Sequence, residues 1–123
     1  MKRVLVVDDE PTIRGLVADA LSEAGYFVDA AANGAEALNQ MRRQTPHAIV
    51  LDLMMPVLDA DGFVARMRAD TSLARVPIVV LTAAYAAHDA AVRLGASACL
   101  SKPFELDELV QSVAQVIGEG VAA

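Results

Sequence analysis

Val4-Leu5-Val6-Val7-Asp8-Asp9-Glu10-Pro11 is an apolar run that ends in two carboxylates and a helix start. The run, rich in β-branched residues, reads as a strand. Pro11 sits at a first-turn position where its missing N–H costs nothing. The same pattern recurs down the chain. Ala48-Ile49-Val50-Leu51 runs into Asp52, Ile78-Val79-Val80-Leu81 into Thr82, and Ala98-Cys99-Leu100-Ser101 into Lys102. Short apolar runs separated by helix-period segments predict strands of a buried parallel sheet. In such sheets ligands bind beyond the carboxyl ends of the strands, where the strand order reverses. Three carboxylates, a hydroxyl and an ammonium are therefore expected on one sheet edge.

The segments between the runs supply helices. Ile13, Leu16, Val17, Ala20, Leu21 and Ala24 share one helical face, and Gly25 stops it. Tyr26 to Ala31 reads as a second strand. Asn33 and Glu36 have capping-box spacing and open a helix carrying Ala37, Leu38 and Met41, which Pro46 ends before a strand over Ala48–Leu53. Pro56 to Asp61 reads as a loop, with Phe63, Val64 and Met67 inward on a short third helix. Pro77 introduces the fourth strand. Ala87, Ala90, Ala91 and Leu94 predict a weakly amphipathic fourth helix closed by Gly95. Leu106, Leu109, Val110, Val113, Val116 and Ile117 give the last helix a core stripe. Five βα units in sequence predict a three-layer α/β sandwich with right-handed crossovers. One domain is expected over residues 1–118, with 119–123 a frayed tail.

With 123 residues the chain holds one complete core. Its composition, 55% hydrophobic but 4% aromatic, makes that core mostly alanine and branched aliphatics. A formal net charge of -6 argues against nucleic acid or an anionic membrane as direct partner. Lys2 and Arg3 precede an apolar stretch that ends at Val7, too short for the roughly 7–15 residues of a signal-peptide core. No run approaches the about 20 apolar residues of a membrane span. The single Cys99 excludes an internal disulfide and a multi-cysteine zinc site. A soluble, cytoplasmic protein is expected.

If the strands ending at Asp8-Asp9 and Asp52 are neighbours, three carboxylates meet. They would raise one another's pKa unless a cation joins them. A hard divalent ion suits such a site, and Mg²⁺ is held by one or two carboxylates plus waters and phosphate oxygens. The plainer reading, that Asp8 and Asp9 cap the helix at Pro11, leaves Asp52 unexplained. Asp52, fixed between Leu51 and Leu53, can act as an in-line nucleophile on phosphorus to give an acyl phosphate. Thr82 and Lys102 can donate to two phosphoryl oxygens, and small Ala83 and Ala84 leave room for a phosphodonor. His47 and His88 lack metal-ligand spacing, Cys99 reads as a packed small side chain, and Arg42-Arg43 as a solvated pair.

Together, Val6-Val7-Asp8-Asp9-Glu10, Leu51-Asp52-Leu53-Met54-Met55-Pro56, Leu81-Thr82-Ala83 and Lys102-Pro103-Phe104 resemble the receiver domain of bacterial response regulators in two-component signalling. The resemblance covers essentially the whole chain. It implies a doubly wound, flavodoxin-like sheet of strand order 2-1-3-4-5. It also implies Asp52 as phosphoacceptor, Asp8 and Asp9 as the acidic pair for Mg²⁺, and the main-chain carbonyl of Met54 as a further ligand. Thr82 would be the switch hydroxyl, Lys102 the phosphoryl contact, and Lys102-Pro103 a cis peptide. The donor would be a histidine kinase or histidine phosphotransfer protein. Output would go by contact with a downstream target protein, whether the chain stands alone or is a module of a larger regulator.

Two positions depart from the family pattern. Val57-Leu58-Asp59-Ala60-Asp61-Gly62 is two residues longer than the usual loop. Cys99 stands where an aromatic switch residue is usual. A haloacid-dehalogenase-like phosphatase is the enzymatic rival, since it also uses an aspartyl phosphate and Mg²⁺. Its second Asp would fall at Glu10, and nothing here resembles a cap domain. A receiver-like adaptor that is never phosphorylated is a third reading, against which the full acidic set argues.

Overall fold

The computed structural model describes residues 2–53, 60–82, 89 and 92–118. Five parallel strands, β1 (Arg3–Val7), β2 (Phe27–Ala31), β3 (Ala48–Asp52), β4 (Ile78–Thr82) and β5 (Ala98–Ser101), form one sheet in the order β2-β1-β3-β4-β5. Helices α1 (Pro11–Glu23), α2 (Gly34–Arg43), α3 (Ala60–Ala69) and α4 (Leu106–Ile117) cover both faces. The doubly wound order expected from the sequence is the order found.

Strand alternation decides which helix lies on which face. Leu5, Val7, Ile49, Leu51 and Ile78 point to one side and pack with residues of α2 and α3, including Met41, Phe63 and Met67. Val4, Val6, Val50, Val79 and Leu81 point to the other and pack with Val17 and Leu21 of α1 and Leu109 and Val113 of α4. Both faces are covered, so the central strands are apolar between their end residues and the chain gains two cores from one sheet.

The helix ends follow local chemistry. Glu10 caps α1, its carboxylate accepting the Ile13 N–H at 2.8 Å, with Pro11 next in line. Asn33 caps α2 by accepting the Glu36 N–H at 2.9 Å. Gly25 leaves α1 with φ 102°, a conformation that favours glycine. On edge strand β2, Asp29 pairs with Arg3 at 2.8 Å, and the Arg3 guanidinium lies 5.3 Å from the Phe27 ring centre. The neighbouring Ala30 carbonyl accepts from Gln40 Nε2 at 2.9 Å.

Some boundaries differ from the sequence reading. Helix α3 begins at Ala60, so Ala60 and Asp61 are helical rather than loop; Ala60 is buried in the α2–α3 core. Tyr26 precedes β2, its N–H closing the end of α1 on the Leu21 carbonyl, and β3 ends at Asp52 rather than Leu53. Leu16 and Leu106, assigned to core stripes, are 50% and 38% exposed. The tail 119–123 and most of the expected fourth helix, including Ala87, Ala90 and Ala91, lie outside the described residues. Within that helix Asp89, Val92 and Arg93 are helical.

Phe63 is fully buried and is among the largest side chains of its core. Phe63→Ala should lower stability by about 3–5 kcal/mol. Urea titration followed by circular dichroism measures this as a fall in midpoint with the m-value retained.

Candidate functional site

Strand register levels the polar ends. Val7 lies beside Leu51, Asp52 beside Leu81, and Thr82 beside Ser101. The residue after each of these positions therefore meets its neighbours at the same edge. The Lys102 N–H donates to the Thr82 carbonyl at 2.6 Å, and the Asp8 N–H to the Ala31 carbonyl at 3.1 Å. One carboxylate oxygen from each of Asp8, Asp9 and Asp52 lies within 4.8 Å of the others. Lys102 Nζ stands 3.4 Å from Asp52 Oδ1. Thr82, Asp52 and Asp8 are buried and Asp9 is exposed, so the cluster has a closed floor and an open mouth. Every described side chain that the sequence singled out for chemistry is at this edge.

The acidic pair is not a helix cap. That task belongs to Glu10. Asp8 Oδ1 instead accepts the Glu10 N–H at 2.9 Å, while its buried Oδ2 has no hydrogen-bond partner among the described residues. Burial pushes the Asp8 carboxyl up to about 6, and the Asp52 carboxylate adds to this. The Glu10 N–H and the Lys102 ammonium oppose the shift. Among the described residues the three carboxylates meet with one ammonium between them, a cluster rich in negative charge, and the buried Asp8 Oδ2 points at the same need. The donor set is all hard oxygen, so these residues fit a divalent cation of the Mg²⁺ kind.

Sequence reasoning missed Arg14, whose guanidinium donates to the Asp8 carbonyl at 2.9 Å. Its signal was its place one turn into α1, on the side facing the preceding strand end. The Lys102-Pro103 peptide is cis, as expected. Cys99 is partly buried on β5 beside Val80, and burial raises its thiol pKa. His47 is exposed before β3 and accepts the Arg3 N–H at 3.0 Å, while Arg42 and Arg43 are exposed. Met54, Val57–Asp59, Ala83, Ala84 and His88 fall outside the described residues.

A second feature adjoins the site. A groove of about 450 Å³ between α1 and the start of α4 has Leu16, Phe104, Leu106 and Lys102 among its lining residues. Among the described residues no helix is long and apolar enough to cross a membrane.

The family model described as "Response regulator receiver domain" matches residues 4–114. The chain is 37% identical over 123 residues to response regulator Rre1 of Synechocystis sp., covering 98% of this chain and 53% of that protein. It is 41% identical over 109 residues to the transcriptional regulatory protein TcrA of Mycobacterium tuberculosis, covering 87% and 42%. The chain thus spans about half the length of these curated relatives. Among solved structures, the Vibrio cholerae chemotaxis protein CheY4 superposes with a TM-score of 0.86 at 34% identity, covering 94% of this chain and 98% of that one.

Removing one charge from the carboxylate cluster should relieve the metal-free protein. In chelator at neutral pH, Asp8→Asn is expected to raise Tm by about 3–5 °C, equivalent to ~1 kcal/mol for a domain of this size. The same variant should lose most of the thermal stabilisation that Mg²⁺ gives the wild type. A lower Tm in chelator would mean that Asp8 is held by contacts that favour its charge.

Proposed function

The chain belongs to the response regulator receiver domain family, and from that premise we propose that Asp52 is the phosphoacceptor through which it is switched. It is the receiver domain of a two-component response regulator. The observation that carries the Asp52 assignment is the Lys102 ammonium 3.4 Å from its Oδ1, on a carboxylate buried beside Asp8. In water this pair would be a commonplace contact. At a buried strand end flanked by two more carboxylates, it presets a cation beside the oxygen that attacks.

The reaction is in-line phosphoryl transfer from a phosphohistidine of a histidine kinase or histidine phosphotransfer protein. An Asp52 oxygen forms the O–P bond as the donor's N–P bond breaks, and the departing imidazole keeps the bonding pair. Lys102 and the Thr82 hydroxyl then donate to phosphoryl oxygens. Asp8, Asp9 and Asp52 would hold Mg²⁺, Asp9 directly and Asp8 largely through water, together with the Met54 carbonyl. When bound, the ion neutralises charge on the transferred group. Arg14 positions Asp8 through its carbonyl. The new charge beside Thr82 biases two surface conformations that a downstream protein distinguishes. The domain thus accepts a phosphoryl group without turning over a substrate, in the cytoplasm and without direct contact to nucleic acid.

The donor has a natural seat. Lys102 lines both the apolar groove and the carboxylate cluster, so a helix lying in the groove carries its histidine to the site's mouth. Gly15 faces solvent in mid-helix beside Leu16, and a Cβ there would meet nothing within 4 Å. A helix-interior glycine costs about 1 kcal/mol against alanine, and here it leaves bare backbone for a partner's close approach. The phosphatase rival needs a carboxylate at position 10 free for acid–base work. Glu10 is committed to the Ile13 N–H.

Incubation with acetyl phosphate and Mg²⁺ should add one phosphoryl group, labile in base, and Asp52→Asn should take up none. Undiminished uptake by the variant in mass spectrometry would overturn the assignment. Leu16→Ser should slow phosphotransfer from a protein donor at least about tenfold, the loss of a buried leucine's contact. Its acetyl phosphate rate should stay at the wild-type level, because the small donor does not use the groove. Equal slowing with both donors would place Leu16 in folding rather than docking.

A further inference from the structure

Arg14 reaches the carboxylate cluster from α1 but bonds to main chain. Arg3, Arg93 and Lys102 pair with the carboxylates of Asp29, Asp61 and Asp52. Arg14 instead directs Nη1 to the Asp8 carbonyl at 2.9 Å. Strands β1 and β2 pair as far as Val7 and Ala31, so Asp8 lies one residue past the register. Its N–H still reaches the Ala31 carbonyl, and the guanidinium takes up its carbonyl where the ladder has stopped.

The effect falls on Asp9. Two peptide planes meet at its Cα. The Asp8–Asp9 plane is held through the Asp8 carbonyl by Arg14. The Asp9–Glu10 plane is held through the Glu10 N–H, which donates to Asp8 Oδ1 at 2.9 Å. Holding both planes fixes the two soft dihedrals of Asp9. Helix α1 backs the clamp, since the Arg14 N–H donates to the Glu10 carbonyl at 3.0 Å and Glu10 caps the helix on Ile13. Asp9 is thus an exposed carboxylate on an immobilised main chain, with one oxygen within 4.8 Å of those of Asp8 and Asp52. A carboxylate on a mobile loop loses main-chain freedom when it binds an ion, and here the fold has already taken that loss.

We propose that Arg14 is the positioning residue of the cation site: it clamps the Asp8–Asp9 peptide and so holds Asp9 ready as a ligand, without neutralising the cluster. The inference rests on the reading of Asp9 as direct ligand of a Mg²⁺-type ion. A salt bridge from Arg14 to Asp8 or Asp9 would also steady the loop, but it would occupy the oxygens that a cation needs. The charges that act on the Asp8 carboxyl are those of Asp52 and Lys102.

The test compares wild type with Arg14→Met and Arg14→Lys. Methionine is a good helix former, so α1 is kept. In chelator, the backbone order parameters of Asp9 and Glu10 should fall in Arg14→Met from the rigid range near about 0.85 toward about 0.6. Val6 and Val50, inside the sheet, should keep theirs. Mg²⁺ is then titrated at neutral pH and followed by the Thr82 and Lys102 amide shifts. Arg14→Met should bind about tenfold more weakly, the lower end of what the outer-shell partners of a metal contribute. Arg14→Lys, which keeps the charge and a donor on a shorter arm, should fall between Arg14→Met and wild type. A field effect alone has the opposite sign, since removing a positive charge would tighten cation binding. Unchanged or tighter Mg²⁺ binding by Arg14→Met, or unchanged order parameters at Asp9 and Glu10, would overturn the role of Arg14 alone. A wild type that does not bind Mg²⁺ would overturn the cation reading and that role with it.

Discussion

Crowding of like charge at one sheet edge is the constraint on which the rest of the molecule turns. Asp8, Asp9 and Asp52 approach within 4.8 Å of one another, and Lys102 is the ammonium paired with Asp52. A chain free to relax would separate them. Here they are held by backbone, because each sits at or just beyond the end of a fully hydrogen-bonded parallel strand. The repulsion is thus stored in an arrangement stabilised elsewhere, by two hydrophobic cores. On the proposed reading it would be released by a cation held there, and altered again by a phosphoryl group on Asp52. A signalling site benefits from such a starting point, since binding and modification both act on an electrostatic imbalance already present.

The register of the sheet converts sequence into this geometry. Parallel strands β1, β3, β4 and β5 end level, and the residue that follows or completes each one is the polar residue of the site. Their neighbours one and two positions earlier point alternately into the α2–α3 core and the α1–α4 core. A substitution such as one at Phe63 therefore acts on stability at a distance from the chemistry, whereas Lys102 belongs at once to the site and to the groove beside it. On the proposed reading, docking of a donor and transfer from it would share one side chain.

Much of this was legible in the sequence, for a physical reason. Strands buried on both faces must be apolar throughout, so a polar residue at their ends stands out, and Asp8, Asp9, Asp52, Thr82 and Lys102 were all found by that contrast. Helix edges were less visible. Ala60 and Asp61 follow a proline-containing stretch that local rules read as loop, yet burial of Ala60 draws them into α3. Leu16 and Leu106 fit a helical stripe by spacing, but spacing cannot say whether a neighbouring helix comes close enough to cover them. Arg14 escaped notice because its partner is a main-chain carbonyl, which no side-chain pattern reveals. The Asp61–Arg93 pair spans residues far apart in the chain and is equally invisible without the fold.

The outer strand β2 has a consequence for how such a protein can be used. A bare sheet edge offers N–H and C=O groups on which a foreign strand can grow. On β2 the Ala30 carbonyl, which points away from β1, is taken by Gln40, and Arg3 clasps Asp29 while lying over the exposed Phe27 ring. A charged pair and a committed carbonyl leave little for an added strand to match. That flank is therefore a poorer template for a foreign strand than a bare apolar edge would be.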